Sequence, residues 1–165
     1  MAPSRRAVRP DPHTPEQRSR NMSSIRSRDT KPEMIIRRGL HARGLRFRLH
    51  DRTLPGTPDL VLSGRNAVIF VQGCFWHGHD CSLGVTPGTR AAFWEDKIGK
   101  NRSRDIRSST LLRASGWRVL EIWECALRGR GRLPIEDLLD EAERFLKSSE
   151  WTGELRGAQR STGAS

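Results

Sequence analysis

The 165-residue chain contains no apolar run near the roughly 20 residues that cross a bilayer. Its basic, proline-containing start, MAPSRRAVRPDPHTP, also lacks the apolar stretch of a secretory leader. These two absences set the expectation of a cytoplasmic protein with no membrane contact. Cysteine is scarce: Cys74, Cys81 and Cys125 are the whole inventory, and an odd number fits a secreted disulfide framework poorly. Metal ligation or burial as reduced thiols are the uses left. Acidic side chains are in deficit, with 19 Asp and Glu against 30 Lys and Arg and a net charge of +11. So large a cationic excess selects a polyanionic partner, nucleic acid first, without saying which.

The length suits one domain with a real core and is short for two. Residues 1–13 read as a flexible basic arm, residues 14–148 as a single domain and residues 149–165, rich in Gly, Ser and Arg, as a disordered tail. Within 14–28 the apolar positions Met22 and Ile25 stand three apart among arginines, which makes a poor core helix and a plausible nucleic-acid-facing one. Thr30 and Glu33 have capping-box spacing around Pro32 and open a helix that stops at Gly44. LRFRLH, PDLVLS and NAVIFVQ follow as three short strands separated by turn signals, an antiparallel meander. Helices are expected over residues 89–101 and 102–115, then a strand at WRVLEIW. A last helix opens at Pro134 with Ile135, Leu138, Leu139, Ala142, Phe145 and Leu146 on one face. This order gives an α/β domain, a mixed sheet flanked by helices.

The densest chemistry is GCFWHGHDC, which holds Cys74, His77, His79 and Cys81 within eight positions, with Cys125 arriving after the WRVLEIW strand. Thiolates and imidazoles at this density suit tetrahedral zinc, with buried thiols as the alternative. If three cysteines and one histidine close such a site, it is a staple and the other histidine is free for chemistry; the spacing alone does not say which. Asp59 stands directly after a turn in PGTPDLVL, ahead of the strand NAVIFVQG. A Pro-Asp followed by an apolar strand resembles the PD-(D/E)XK nuclease core, although Pro-Asp also simply starts turns.

NMSSIRSRDTKPE, LPGTPDLVL, VIFVQGCFWHGHDC, FWEDKIGKNRSRD and GWRVLEIWECALRGR occur in that order over about residues 14 to 130. Together they resemble the very-short-patch-repair (Vsr) mismatch endonuclease family. The resemblance implies a PD-(D/E)XK fold, a structural zinc, catalytic magnesium, and nicking 5′ of the thymine in a T:G mismatch left by deamination of 5-methylcytosine. It places magnesium on Asp59 and on the backbone carbonyl of Val71, makes His77 the activator of the attacking water, and makes Asp105 its acidic partner. Zinc takes Cys74, His79, Cys81 and Cys125. Glu33 falls on an acidic position near the active site, while capping its own helix is an equal claim on it.

By the same resemblance, Phe75, Trp76 and Trp94 wedge between base pairs from the major groove, opposed by Met22 and Ile25 from the minor groove. Phe93, Trp117 and Trp123 read as core. Lys97, Lys100 and Arg102 face phosphates, or form a solvated basic face. The chain departs from some members of the family in carrying Gln72 where they carry histidine, and glutamine cannot titrate. The implied partner is mismatched double-stranded DNA, with host mismatch-repair proteins as possible associates, and the implied state is a monomer. Two other readings remain: a restriction-like enzyme that cuts both strands, and a non-catalytic zinc-containing DNA-binding module. Asp59, His77 and Asp105 together argue against the latter.

Overall fold

The computed structural model describes Thr14, Glu16, Gln17 and residues 28–159. The basic arm 1–13 and the pair Met22 and Ile25 lie outside the described residues. Helix α1 runs Lys31–Ala42, strands β1 Arg48–Leu49, β2 Leu60–Leu62 and β3 Ala67–Gln72 follow, then helix α2 Ala91–Ala114, strand β4 Arg118–Trp123, helix α3 Ile135–Lys147 and strand β5 Thr152–Leu155. The five strands form one sheet in the order β1-β2-β3-β4-β5. The first three pair antiparallel, as the turn signals predict, and β3-β4 and β4-β5 pair parallel. Each parallel step is bridged by a helix, as parallel strands require.

Alternation along the strands divides the core between the two faces. Leu60, Leu62, Ile69, Leu120 and Ile122 pack with Ile36 and Leu40 of α1 and Leu138, Leu139 and Phe145 of α3. Val61, Val68 and Val119 point the other way and meet Leu112 of α2, with Leu54, Phe70 and Trp117 half-buried around them. On that second face the later positions of β3 and β4 turn polar at Gln72 and Glu121, so the cover of α2 opens there into a cavity.

Three expectations need correction. The two helices expected at 89–101 and 102–115 are one continuous helix, α2. Nothing breaks it at Asn101. Its inward stripe runs through Ile98, Asn101, Asp105, Ser108 and Leu112 at helical spacing, and polar members hide that period from an apolar count. The capping box at α1 is only half formed: Thr30 Oγ1 accepts the Glu33 N–H at 3.4 Å, but the Glu33 carboxylate turns to the Asp29 N–H at 2.8 Å and into the protein interior. The tail 149–165 is not disordered where it is described, because residues 152–155 form β5, in register with Val119–Ile122. TGEL has no apolar alternation to announce a strand. Backbone pairing to β4 and the seating of Gly153 against Phe145 hold it, and composition reports neither.

Leu120 is 0 % exposed at the centre of the sheet. Replacing it with alanine should cost about 2–5 kcal/mol by leaving a cavity, lowering the urea midpoint with little change in slope.

Candidate active site and metal cluster

Antiparallel pairing of β2 and β3 returns Asp59, just ahead of β2, to the end of the sheet where β3 and β4 finish. There the Val71 N–H donates to Asp59 Oδ2 at 2.7 Å. Asp59, Val71, Gln72, His77, Asp105, His50 and Glu121 all line one cavity of about 420 Å³ at this edge. In an α/β sheet this is where ligands bind, since the strands present backbone and loop groups there. Burial pushes the Asp59 carboxyl up to about 6, aided by the nearby charge of Glu33 and opposed by the Val71 N–H. A carboxylate whose ionised form is disfavoured by desolvation beside another acid is one that a hard cation stabilises.

His77 and Asp105 meet across the cavity through a short contact between Nδ1 and Oδ2. A carboxylate only accepts, so Nδ1 carries a proton, and in the neutral imidazole Nε2 is the nitrogen left with the lone pair. Asp105 reaches this place because α2 passes alongside the loop after β3. Asn101, one turn earlier on the same helix, fastens that loop by donating from Nδ2 to the Trp76 carbonyl at 2.9 Å.

Glu33, 2 % exposed, faces His50 Nε2 at 2.5 Å, and the same nitrogen is 3.9 Å from Asp59 Oδ1. Glu33 thus caps the start of α1 and also reaches the side of the cavity where His50 and Asp59 stand. His50 was not singled out in the sequence. It is held there in a left-handed conformation, φ 47°, with its N–H on the Asp59 carbonyl at 3.2 Å. The available signal was the LHD that closes the first strand eight residues ahead of Pro-Asp. Glu121 was also missed. It sits opposite Glu154 in the β4-β5 register, and burial, reinforced by Glu154 and Asp105, raises its carboxyl.

Cys74, His79, Cys81 and Cys125 converge so that their ligand atoms lie within 4.8 Å of one another. His79 is thereby separated from His77, which serves the cavity. The Cys125 N–H donates to Cys74 Sγ at 3.3 Å, and His79 stacks on Trp123 at 4.1 Å between ring centroids. Burial pushes the Cys74 and Cys125 thiols up. Three inward-facing sulfurs and one imidazole, with an N–H aimed at a sulfur, are a donor set that fits a tetrahedral thiophilic cation such as zinc.

Phe75, Trp76 and Trp94 form a half-buried trio, with centroids 5.0 and 5.2 Å from Phe75 to the two indoles and 6.0 Å between the indoles. Phe93, expected in the core, is instead 40 % exposed beneath Arg90. Trp123 is buried and Trp117 half-buried. Lys97 lies over Trp76 at 5.5 Å, while Lys100 is exposed and paired with Asp96 at 2.9 Å. Arg102 points elsewhere, into a second cavity behind His77. The groove beside the trio instead recruits Arg104 and Arg128, neither of which stood out in a sequence crowded with arginine.

A half-buried aromatic and basic groove stands next to buried carboxylates and a carboxylate-paired imidazole, an arrangement suited to phosphodiester chemistry. The sequence profile of the family described as DNA mismatch endonuclease Vsr matches residues 10–83. The chain is 48 % identical to the DNA mismatch endonuclease Vsr of Escherichia coli over 136 residues, 82 % of this chain and 87 % of that protein. It is 47 % identical over 129 residues to the type II nicking enzyme V.XorIIP of Xanthomonas oryzae, covering 77 % and 95 % of the two chains. V.NmeAIP of Neisseria meningitidis, another type II nicking enzyme, is 42 % identical over 120 residues, 73 % and 86 %. The chain belongs to the Vsr DNA mismatch endonuclease family: it is a site-specific DNA endonuclease of mismatch repair. Among the described residues, no helix is long and apolar enough to cross a membrane.

Asp59 also sets a pH-dependent stability. Its carboxyl is near 6 when folded against 3.8 ordinarily, so the proton is held more tightly in the native state. The resulting stabilisation is complete below about pH 4 and lost as the pH rises through 6. In the absence of magnesium, Asp59→Asn should therefore raise stability at pH 7.5 by about 1–3 kcal/mol, a gain that vanishes near pH 4. Denaturant titrations at the two pH values check this, and an equal gain at both would remove the ionised carboxylate as its source.

Proposed function

We propose that this endonuclease nicks one strand 5′ of the thymine in a T:G mismatch, using magnesium held by Asp59 and the Val71 carbonyl, with zinc as a structural staple on Cys74, His79, Cys81 and Cys125. The observation that carries the reading is the single cavity in which Asp59, tied to the β3 backbone, faces the His77–Asp105 pair. Magnesium bound there supplies Lewis-acid stabilisation of the charge that develops on the scissile phosphate.

His77 Nε2 accepts the proton of the attacking water, and the Asp105 carboxylate orients the imidazole and stabilises its protonated form. Glu33 and His50 hold the Asp59 side of the cavity. Gln72 contributes a neutral hydrogen-bonding group there and no proton chemistry. The fold reading is the PD-(D/E)XK arrangement, supported by Asp59 at the mouth of an antiparallel β2-β3 pair followed by parallel β4. Residues 14–28, with Met22 and Ile25, would complete the DNA contact, and the cell compartment is the cytoplasm.

The aromatic trio favours a mismatch reader over a restriction-like enzyme. Intact sites are read by hydrogen bonds to base edges, whereas a wedge is favoured where pairing is already weak. The one such cavity seen among the described residues suits a monomer that cuts one strand.

Matched duplexes containing T:G or C:G at methyltransferase-type sites, incubated with magnesium and resolved strand by strand, test this directly. A single cut 5′ of the mismatched thymine, absent from C:G, is the expected result. Asp59→Ala should abolish it while sparing mismatch binding and zinc content, and His77→Ala should slow it by about 10²-fold or more. Cleavage of both strands of intact duplex would overturn the nickase reading.

A further inference from the structure

The cysteine-histidine cluster draws its four ligand atoms from the loop after β3 and the turn after β4, yet the backbone lying against it comes from a third place, the segment that follows β5. The Gly157 N–H donates to Cys125 Sγ at 3.3 Å in a buried contact. A side chain could not be added at that position, because a Cβ on Gly157 would stand 2.3 Å from the Cys125 carbonyl oxygen. One residue further on, the Ala158 N–H donates to the Gly131 carbonyl at 2.8 Å, so the segment is closed down on both sides of the cysteine turn.

His79 gives a second, independent indication. Its Nδ1 faces Cys125 Sγ at 3.6 Å and so points at the cluster. Its Nε2 therefore points away, is buried, and has no hydrogen-bond partner among the described residues. The groups facing that nitrogen are carboxylates: Asp80 Oδ1 at 3.6 Å and Glu154 Oε1, from β5, at 3.7 Å. Arg156 then ties the two elements together, with Nη2 on Asp80 Oδ1 at 2.7 Å. A metal-bound imidazole whose other nitrogen meets a carboxylate is held in one tautomer and made a stronger donor.

We infer that Glu154, Arg156 and Gly157 are working parts of the metal site, holding zinc through the ligands rather than by ligating it. The inference rests on the zinc reading above. Three thiolates outweigh the two positive charges of zinc, so an N–H aimed at a ligand sulfur stabilises the loaded state, as hydrogen bonds to sulfur do in other metal-thiolate centres. Glu154 does the same for the Nε2–H that ligation through Nδ1 leaves on His79. Through Asp80, Arg156 pins the loop on which His79 and Cys81 sit. The strand that completes the sheet is thus also the clamp that retains the metal.

The test uses the full chain. Zinc per chain is measured by mass spectrometry after dialysis, and zinc release is timed with a chelating dye. The wild-type chain should hold one zinc. The double variant Asp80→Asn with Glu154→Gln should release it about tenfold faster or more, with unchanged far-ultraviolet circular dichroism. Glu150→Gln, which removes one carboxylate charge next to β5 but away from the cluster, should release it at the wild-type rate. A chain ending at Glu150 should retain far less than one equivalent. Should that truncation fail to fold, the double variant still decides. Wild-type release from the double variant in a chain that does hold zinc would overturn the clamp alone, whereas a wild-type chain that binds no zinc would overturn the metal reading and the clamp with it.

Discussion

Everything at the cavity end of the sheet depends on the parallel register between β3 and β4. Six consecutive pairs, from Ala67 with Arg118 to Gln72 with Trp123, bring both strands to an end at the same level. Two residues beyond each end stand Cys74 and Cys125, close enough for the N–H of one to reach the sulfur of the other. A slip of one residue would exchange the faces of the strand, pushing Ile122 towards the cavity and Glu121 into the α1–α3 core. The register therefore sets the metal cluster and the polar cavity together, and the helix α2 that bridges the two strands carries Asp105 to His77 as a consequence of the same crossover.

The charge distribution at that edge runs against the rest of the molecule. In a chain of net charge +11, Glu33, Asp59, Asp105, Glu121 and Glu154 gather near one end of the sheet. Glu121 and Glu154 face each other directly across β4 and β5, a placement that costs stability wherever nothing offsets it. Stability alone would not select it. Concentrated acid inside a basic surface suits the proposed phosphodiester chemistry: the surface would draw in the backbone of DNA, and the acidic cavity would hold a divalent cation that offsets charge on the phosphate.

Much of this was legible in the sequence, for identifiable reasons. The meander, the last helix and the separation of His77 from the cluster of His79 and the cysteines rest on strong local signals, or on motif spacing distinctive enough to carry a resemblance. What escaped notice depends on tertiary pairing. Strand β5 has no pattern of its own. Its hydrogen bonds lie with β4, and its one close-packed residue is a glycine against Phe145. The unbroken α2 was concealed because its inward face is built from the polar groups the site requires. His50 and Arg104 are ordinary members of common residue types until the fold places them, and the helix suggested for 14–28 lies outside the described residues apart from Thr14, Glu16, Gln17 and residue 28.

In the proposed reading, the loop between Cys74 and Cys81 joins recognition to chemistry. Phe75 and Trp76 precede His77 immediately, and the whole segment is fixed at both ends by cluster ligands and in the middle by Asn101 on the Trp76 carbonyl. An aromatic wedge loses its discrimination if it yields before the base stack does. Unstacking costs a few kcal/mol per step, and the loop must withstand that load with little displacement. A cluster that clamps the loop supplies this stiffness. In the proposed reading, the wedge and the imidazole then move as one body, so insertion at a weakened base pair and alignment of His77 with the phosphate are the same event. On a fully stacked duplex the wedge is held out, and His77 is held out with it, which gives selectivity for mismatched DNA without requiring every base edge to be read.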